Sequence, residues 1–259
     1  MKTTNFLLTC ALFTATAFVG LQPISAKVLY VGTGAQWSGK PTSDVHATPN
    51  AAFTAAAEGD EIWIAGGVYG IGARLELTSK LVSFYGGFAG TENAIGERAK
   101  TPNGKGWEFA NPTILKQAAT ISNAMFYAYS PASAPANATI SINGLTLDGS
   151  GYENSGISWR TGTTLPTLDV SIKNCIIQDF GTTGAVSGGG ISIVGAEAYA
   201  SFVVDSCLIE NNTGSNGGGV NVEGEKTIRN SAIRNNTATG TGAAGGGGIY
   251  IYAGTAATG

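Results

Sequence analysis

The chain has 259 residues, of which 43% are hydrophobic and 12% charged, and it carries a formal net charge of −3. These values are typical of an ordered, soluble fold, and the mild acidity gives no reason to expect nucleic acid or an anionic membrane surface as a partner. The 39 glycines stand beside only eight prolines and follow no Gly-X-Y period, which excludes collagen and favours a turn-rich β protein.

Residues 1–26 have the features of a secretory signal peptide. A positively charged start precedes an apolar run from Phe6 to Gly20, and the segment ends on Ala26, a small residue suited to cleavage before Lys27. The run is shorter than the roughly 20 residues that a membrane-spanning helix needs. The alternatives are a membrane anchor and a lipoprotein modified at Cys10. We expect export, with a mature chain that is secreted or associated with the outer surface of the cell and is not transmembrane.

Residues 27–70 are predicted to start and cap the fold. Residues 27–31 have the alternation of a strand, and a polar loop follows them. A short helix is expected over residues 51–57, with Thr48 or Asn50 as its N-cap. Its predicted apolar face consists of Phe53, Ala56 and Ala57. We expect this face to cover the first repeat, since a solenoid with an exposed apolar end associates with other chains.

Two interleaved motifs recur through residues 140–259. The first begins at Ile142, Ile172, Val204 and Ile228, at spacings of 30, 32 and 24 residues. The second is a glycine followed by apolar, polar and apolar residues. Its copies are Gly156–Trp159, Gly190–Ile193, Gly219–Val222 and Gly248–Ile251. Two motifs that repeat together at this period indicate a solenoid.

The repeat unit is built from short strands. Apolar residues stand two apart in β-branched segments, and Gly, Asn, Thr and Ser between them form turns and disfavour helix. Strands of successive repeats must therefore pair in parallel, about 4.8 Å apart, with inward residues stacked in ladders. The predicted ladders are Ile142/Ile172/Val204/Ile228, Leu145/Cys175/Cys207/Ser231 and Leu147/Ile177/Ile209/Ile233. The sequence thus predicts an all-β chain whose residues 27–259 form one parallel β-helix, with regular repeats over 140–259.

Cys175 and Cys207 fall at equivalent inward positions of neighbouring repeats. Export to an oxidising compartment would permit a disulfide, and a Cα separation of about 4.8 Å allows one. Parallel Cβ vectors are awkward for the S–S torsion, so we favour two small apolar residues in one ladder and leave the bridge open.

Several segments resemble the opening of a known family. Residues 59–69, 85–92, Arg98 and 111–115 are similar to secreted pectate-lyase-like right-handed parallel β-helix proteins of Bacteroidetes type. That group is related to the polymorphic outer-membrane proteins and adhesins, and the Gly-Gly-Gly-Ile and Asn-Asn-Thr repeats of this chain resemble its GGxI and FxxN repeats. The resemblance extends over nearly all of 27–259. It implies a right-handed winding and a scaffold that hosts lyases, hydrolases or adhesins.

Outward columns carry the candidate site residues. The repeat spacings give a first column, Asn143/Lys173/Asp205/Arg229, and a second, Asp148/Gln178/Glu210/Arg234, beside which runs Gly149/Asp179/Asn211/Asn235. A third column is Ser150/Phe180/Asn212/Asn236. Asp148, Asp179 and Glu210 lie on three successive repeats, roughly 5–7 Å apart from one repeat to the next, which is the range that glycosidase carboxylates use. They are the candidate catalytic residues, and calcium is a possible cofactor if the chain is a lyase.

The same charges also fit a solvated surface. Opposite signs alternate along the first column, and Glu210 faces Arg234 in the second, which stabilises neighbouring strands. Asp148 and Asp179 are the acids without a basic neighbour in their own column. The repeats contain no histidine, and no Cys/His spacing typical of a metal site is present, so we expect no resident metal and favour a non-catalytic surface.

Tyr250 is the candidate ligand-binding residue. It is equivalent to Ser158, Ser192 and Asn221, so it is predicted to point outward, where its ring could stack on a sugar. Trp159 occupies the last position of the glycine motif and is expected in the core.

The sequence therefore favours a secreted or cell-surface adhesin or glycan-binding scaffold, whose partner is a polysaccharide or a host or cell-surface glycan. The alternative is a lyase or glycoside hydrolase that acts on an acidic polysaccharide, and a third interpretation is a purely structural stalk. No capping helix or sorting domain precedes Gly259, so we expect the chain to be a fragment of a longer surface protein.

Overall fold

The computed structural model describes residues 26–129, 138–160, 168–181, 187–194, 199–224, 226–240 and 245–252, and the predicted signal peptide up to residue 25 lies outside these ranges. Within them the chain is almost entirely strand. In chain order the strands are β1 (Val28–Val31), β2 (Val45–His46), β3 (Glu61–Ala65), β4 (Gly67–Ile71), β5 (Leu75–Glu76), β6 (Ser83–Phe88), β7 (Thr113–Gln117), β8 (Ala124–Tyr129), β9 (Thr139–Asn143), β10 (Leu145–Asp148), β11 (Ser155–Arg160), β12 (Leu168–Lys173), β13 (Ile176–Gln178), β14 (Ile191–Val194), β15 (Tyr199–Asp205), β16 (Leu208–Glu210), β17 (Thr213–Gly214), β18 (Val220–Glu223), β19 (Thr227–Arg229), β20 (Ala232–Arg234), β21 (Thr237–Ala238) and β22 (Ile249–Tyr252), with helix α1 at Pro49–Ala55 and 3-10 turns at Thr42–Asp44 and Ile95–Glu97.

The strands form three large parallel sheets. The first has the order β19-β15-β12-β9-β6-β3-β1-β2, the second β20-β16-β13-β10-β7-β4, and the third β22-β18-β14-β11-β8-β5. Strands β17 and β21 form a small pair of their own. From β3 onward the described chain supplies one strand to each large sheet in turn, and it does so six times. The predicted all-β class with parallel pairing is confirmed.

The pairing registers are those that the repeats predict. Ile142, Ile172, Val204 and Ile228 are partners in the first sheet, and Leu147, Ile177, Ile209 and Ile233 in the second. The glycine motif aligns Ile157, Ile191, Val220 and Ile249 in the third. All of these side chains except Ile249 belong to or pack against one continuous core. Burial decreases at the last strand, where Ile249 is 39% and Ile251 65% exposed.

Sharp corners join the first sheet to the second. The corner residues are Gly144, Asn174, Ser206 and Asn230, with φ of 75°, 54°, 55° and 52°. Left-handed backbone is free for glycine and tolerated by asparagine, which explains most of the residue types in this column. The corners also turn the apolar face of each following strand toward the same interior.

The third predicted outward column is wrong at Phe180 and Asn212, which are buried, whereas Ser150 is exposed and Asn236 half-buried. Phe180 and Asn212 are both 0% exposed. The Asn212 amide nitrogen donates to the carbonyl of Ile177 at 3.0 Å, and its oxygen accepts from the backbone N–H of Phe180 at 3.1 Å. The residues just before them, Asp179 and Asn211, are left-handed, which interrupts the period-two alternation and turns the next side chain inward.

Helix α1 is confirmed, but it begins and ends two residues earlier than the predicted range. Thr48 is its N-cap, and its hydroxyl accepts from the backbone N–H of Ala51 at 3.2 Å. The helix ends at Ala55, so Ala57 is exposed rather than part of the apolar face. Phe53 packs against Phe84 of the first sheet, with ring centroids 6.0 Å apart. No helix among the described residues has the length and apolarity needed to cross a membrane.

The connection between β6 and β7 folds back over the edge of the first two sheets. Arg98 anchors it by donating to the carbonyls of Gly86 at 2.7 Å and Ile95 at 2.8 Å. Burial would raise the pKa of Glu92, but hydrogen bonds from the N–H groups of its own loop outweigh that effect and lower it. The donors to this carboxylate are Ala89, Gly90 and Thr91, at 2.7–3.0 Å.

Cys175 and Cys207 are both free and fully buried, as the favoured interpretation predicts. The thiol of Cys175 donates to the carbonyl of Lys173 at 3.1 Å. A hydrogen bond with Cys175, together with burial, raises the pKa of the Cys207 thiol, so this thiol stays protonated. Both cysteines therefore act as small core residues.

Candidate functional site

An open groove of about 670 Å³ runs along the outward side of the second sheet. We call it the acidic groove. Its lining residues are Lys116, Asp148, Ser150, Gly151, Asp179, Gly181, Asn211 and Thr213. Two of the three predicted carboxylates, Asp148 and Asp179, thus face one depression.

Asp148 ends strand β10 and has a basic neighbour after all. Its partner on β7 is Lys116, and its partner on β13 is Gln178. The expectation that Asp148 lacks a basic residue in its own column is therefore wrong, because β7 precedes the four repeats from which the columns are drawn. The Asp148 carboxylate accepts from the N–H of Ser150 at 2.8 Å and from its hydroxyl at 3.1 Å. These contacts fix the orientation of the carboxylate.

Asp179 occupies the corner that follows β13. Its φ is 59°, and the equivalent Asn211 and Asn235 have φ of 57° and 54°. Burial, and then the charges of Asp148 and Glu210, raise the pKa of Asp179, while a hydrogen bond from Asn211 opposes the shift. The Asp179 carboxyl thus retains its proton to a higher pH than an ordinary aspartate.

Glu210 is held outside the lining of the groove. Its carboxylate pairs with Arg234 at 2.7 Å, and Asp205 pairs with Arg229 at 2.9 Å, so both predicted ion pairs are confirmed. No group of three or more His, Cys, Asp or Glu side chains in the described part of the chain is arranged to hold a metal ion. The calcium expected of a lyase therefore finds no ligand set in these ranges.

A second depression, of about 380 Å³, contains the predicted ligand-binding residue Tyr250. We call it the tyrosine pocket. Its lining residues are Arg160, Ser187, Val194, Asn216, Asn221, Tyr250 and Tyr252. The rings of Tyr250 and Tyr252 stack with centroids 5.7 Å apart and 23° between their planes. Both tyrosines come from β22, at the edge of the third sheet.

The column beneath Tyr250 has the predicted register but an unexpected burial. Ser158, Ser192 and Asn221 pair in order with Tyr250, yet they are only 4%, 2% and 2% exposed. The Asn221 side-chain oxygen lacks a hydrogen-bond partner in the part of the chain that the structure describes. A buried acceptor without a donor costs about 1–3 kcal/mol, so this oxygen lowers the stability of the column.

The lining of the tyrosine pocket includes the phenol of Tyr252 and the guanidinium of Arg160. Burial is the largest cause of the raised pKa of Tyr252, and the negative charge of Glu223 raises this pKa further. The phenol is therefore a neutral hydrogen-bond donor. The guanidinium of Arg160 acts in the opposite direction on the same phenol. Trp159, one residue before Arg160, lies in the core at 1% exposure as predicted, and packs edge-to-face on Phe202.

Sequence reasoning selects Tyr250 from a set of aromatic residues that includes Tyr252, and it misses Arg160 and Asn221. The period of two places Tyr252 on the same outward face as Tyr250. No protein-family model, no curated protein and no solved structure matches this chain. The function is therefore argued from the two depressions themselves.

Proposed function

We propose that the chain is an exported carbohydrate-binding scaffold of the adhesin type, wound as a right-handed parallel β-helix. The ordered rotation of the chain through three parallel sheets supports a solenoid. Parallel strands of one sheet are nearly always joined by right-handed crossovers, which supports the handedness. The resemblance of residues 59–69 and of the glycine motif to secreted β-helix proteins supports export and a surface location.

The tyrosine pocket carries this proposal. A sugar ring offers an apolar C–H face and a rim of hydroxyl groups, and the aromatic face of Tyr250 in this depression matches the apolar face. Arg160 adds donors for ring or hydroxyl oxygens. The single observation that carries the assignment is the pair of stacked aromatic rings in one depression with the guanidinium of Arg160.

Charge favours a neutral glycan as the ligand. The acidic groove holds the carboxyls of Asp148 and Asp179 against one lysine, Lys116, and the whole chain has a net charge of −3. A polyuronate would be repelled by this surface, whereas hydroxyl-rich neutral sugars can donate to it.

Binding to immobilised neutral polysaccharides, measured by surface plasmon resonance, tests the proposal. Tyr250→Ala is expected to weaken binding about tenfold, which corresponds to ~1.4 kcal/mol. Tyr152→Ala is the matched control, because Tyr152 is half-buried like Tyr250 but lies in the turn after β10, outside the pocket. Equal affinities of wild type and Tyr250→Ala, or no binding to any glycan tested, would contradict the assignment.

A second candidate function is glycoside hydrolysis at the acidic groove. The raised pKa of Asp179 suits a general acid, and the neighbouring Asp148 carboxylate, held by Ser150, suits a base or nucleophile. Release of reducing ends from neutral polysaccharides is the measurement. Asp179→Asn and Asp148→Asn should each abolish release, while Asp169→Asn, outside the groove, should retain it. A wild-type chain that binds without release excludes the hydrolase.

A further inference from the structure

Asp60 is a buried carboxylate at the start of β3, with a relative exposure of 3%. Its Oδ1 accepts from the backbone nitrogen of Lys27 at 2.9 Å, and its Oδ2 accepts from the backbone nitrogen of Ala57 at 2.8 Å. The carbonyl of Lys27 in turn accepts from the N–H of Glu61 at 2.9 Å. Both backbone groups of Lys27 are therefore fixed at the entrance to β3, and its nitrogen faces a carboxylate that is shielded from water.

The predicted signal-peptide cleavage breaks the chain at this same nitrogen. Ala26 and Lys27 are both exposed, so the bond between them is accessible. Hydrolysis of that bond consumes one water, leaves a carboxylate on Ala26 of the released peptide, and leaves an amine on Lys27 that takes up a proton. A neutral amide N–H that faces Asp60 is thus replaced by an ammonium group.

We infer that the Ala26–Lys27 bond is a processing site whose product, the α-ammonium of Lys27, forms a buried ion pair with Asp60 and locks β1 against β3. The inference uses the proposed export for the position of the cut and goes beyond carbohydrate binding. The acceptor of this hydrogen bond is already ionised in the precursor, and cleavage places a positive charge on the donor as well, which adds a direct ion-pair attraction. In the precursor the carboxylate of Asp60 faces only the weaker donor, so the mature chain is the more stable form.

The charged groups around this nitrogen have partners that cleavage does not alter. Lys80 donates to the carbonyl of Ala56, the side chain of Lys27 pairs with Asp44, and Glu58 accepts from the N–H of Leu81. Other titratable groups in this region are Glu61, which accepts from the indole of Trp63, and His46, next to Asp44. Cleavage thus adds one titratable group, the α-amino group of Lys27, and leaves these partners in place.

The sign of the pH dependence follows from the pairing. An α-amino group has an ordinary pKa of about 7.7–8.0, and a carboxylate partner raises that pKa in the folded state. The added stability is therefore complete below the ordinary pKa of the amine and is lost as the pH rises through the raised value.

The test compares one folded chain before and after a cut. The recognition sequence of a site-specific protease replaces residues 22–26 of the full chain, so that cleavage occurs directly before Lys27. Thermal unfolding at pH 6 should show a midpoint about 3–6 °C higher after the cut, and at pH 10 the gain should vanish. Asp60→Asn should remove the gain at pH 6, and Asp169→Asn should keep it.

A second variant keeps the test decisive if Asp60→Asn folds poorly. Moving the protease site one residue upstream leaves Ala26 in place, so the Lys27 nitrogen remains an amide after the cut, and no gain is expected. Equal gains with and without Ala26, or a gain that persists at pH 10, would overturn the ion pair. Neither outcome depends on export or on glycan binding, and loss of glycan binding would leave this result unchanged.

Discussion

Replacing Ile177 with alanine tests whether the predicted ladders form a tightly packed interior. Ile177 is 0% exposed and pairs in register with Leu147 on one side and Ile209 on the other. A Cβ added to Gly156 on the facing third sheet would lie 2.9 Å from its Cγ2, so the two sheets are already in close contact there. Ile177 lies between two continuous sheets. These sheets cannot move together to fill the cavity left by the three missing side-chain carbons.

The expected loss follows from that rigidity. Large-to-small substitutions of this kind cost about 2–5 kcal/mol, and a site that cannot collapse falls in the middle of the range or above it. A loss of about 3 kcal/mol lowers the unfolding midpoint of a chain of this size by about 6–12 °C. Far-UV circular dichroism followed during heating measures the midpoint, and urea unfolding with an unchanged slope confirms that stability alone has changed.

Ile233→Ala is the matched control, because Ile233 belongs to the same ladder at the edge strand β20. It is half-buried, and a Cβ on its facing glycine, Gly248, would lie 3.6 Å away rather than 2.9 Å. The same three carbons should therefore cost about 1 kcal/mol there. Equal losses at the two positions, or a loss below 1 kcal/mol at Ile177, would refute the argument that register partners stack into one interior.

Three further predictions concern single groups. Glu92→Gln should lower the free energy of unfolding by about 1–3 kcal/mol at pH 7. Because the pKa of Glu92 is lowered in the folded state, this deficit should disappear as the pH falls through that pKa. Urea unfolding at a series of pH values measures it. Gly217→Ala should prevent cooperative unfolding, since its Cβ would collide with the backbone oxygen of Val220, whereas Gly34→Ala, with open space around it, should unfold like wild type in calorimetry. Asp179→Asn should raise the unfolding midpoint at pH 7 but not at pH 3. The pKa of Asp179 is raised in the folded state, so its ionisation lowers the stability as the pH increases. An unchanged midpoint at pH 7 would contradict this.

The regular part of the fold follows from the sequence because its strands repeat the same apolar positions. The offsets that align Ile142 with Ile172 and Ile157 with Ile191 are the pairing registers. The two earlier rotations, β3–β5 and β6–β8, were not recognised as repeats, because their strands carry different residue types and a long connection separates β6 from β7. A period is visible only where successive units use similar residues for the same position.

The candidate site was only partly predictable, for a related reason. Asp148 and Asp179 were placed together because column positions fix which residues become neighbours along a sheet. Lys116 was missed because it lies in an unrecognised unit. The importance of Asn221 depends on burial of an outward position, and burial depends on what covers a strand rather than on the period of the strand itself.

At the corner formed by Asp179, the conformational requirement of the backbone can be distinguished from the chemical role of the side chain. The left-handed conformation there is one that asparagine adopts at Asn211 and Asn235, so the fold needs only a short polar side chain at this position. A carboxylate adds no backbone benefit over asparagine, and its neighbours Asp148 and Glu210 oppose its ionisation. A residue that costs stability without serving the fold is where a proton-transfer role is best sought. The tyrosine pocket makes no use of Asp179, so the presence of that carboxyl favours the hydrolytic candidate, while the stacked rings of Tyr250 and Tyr252 beside Arg160 favour binding.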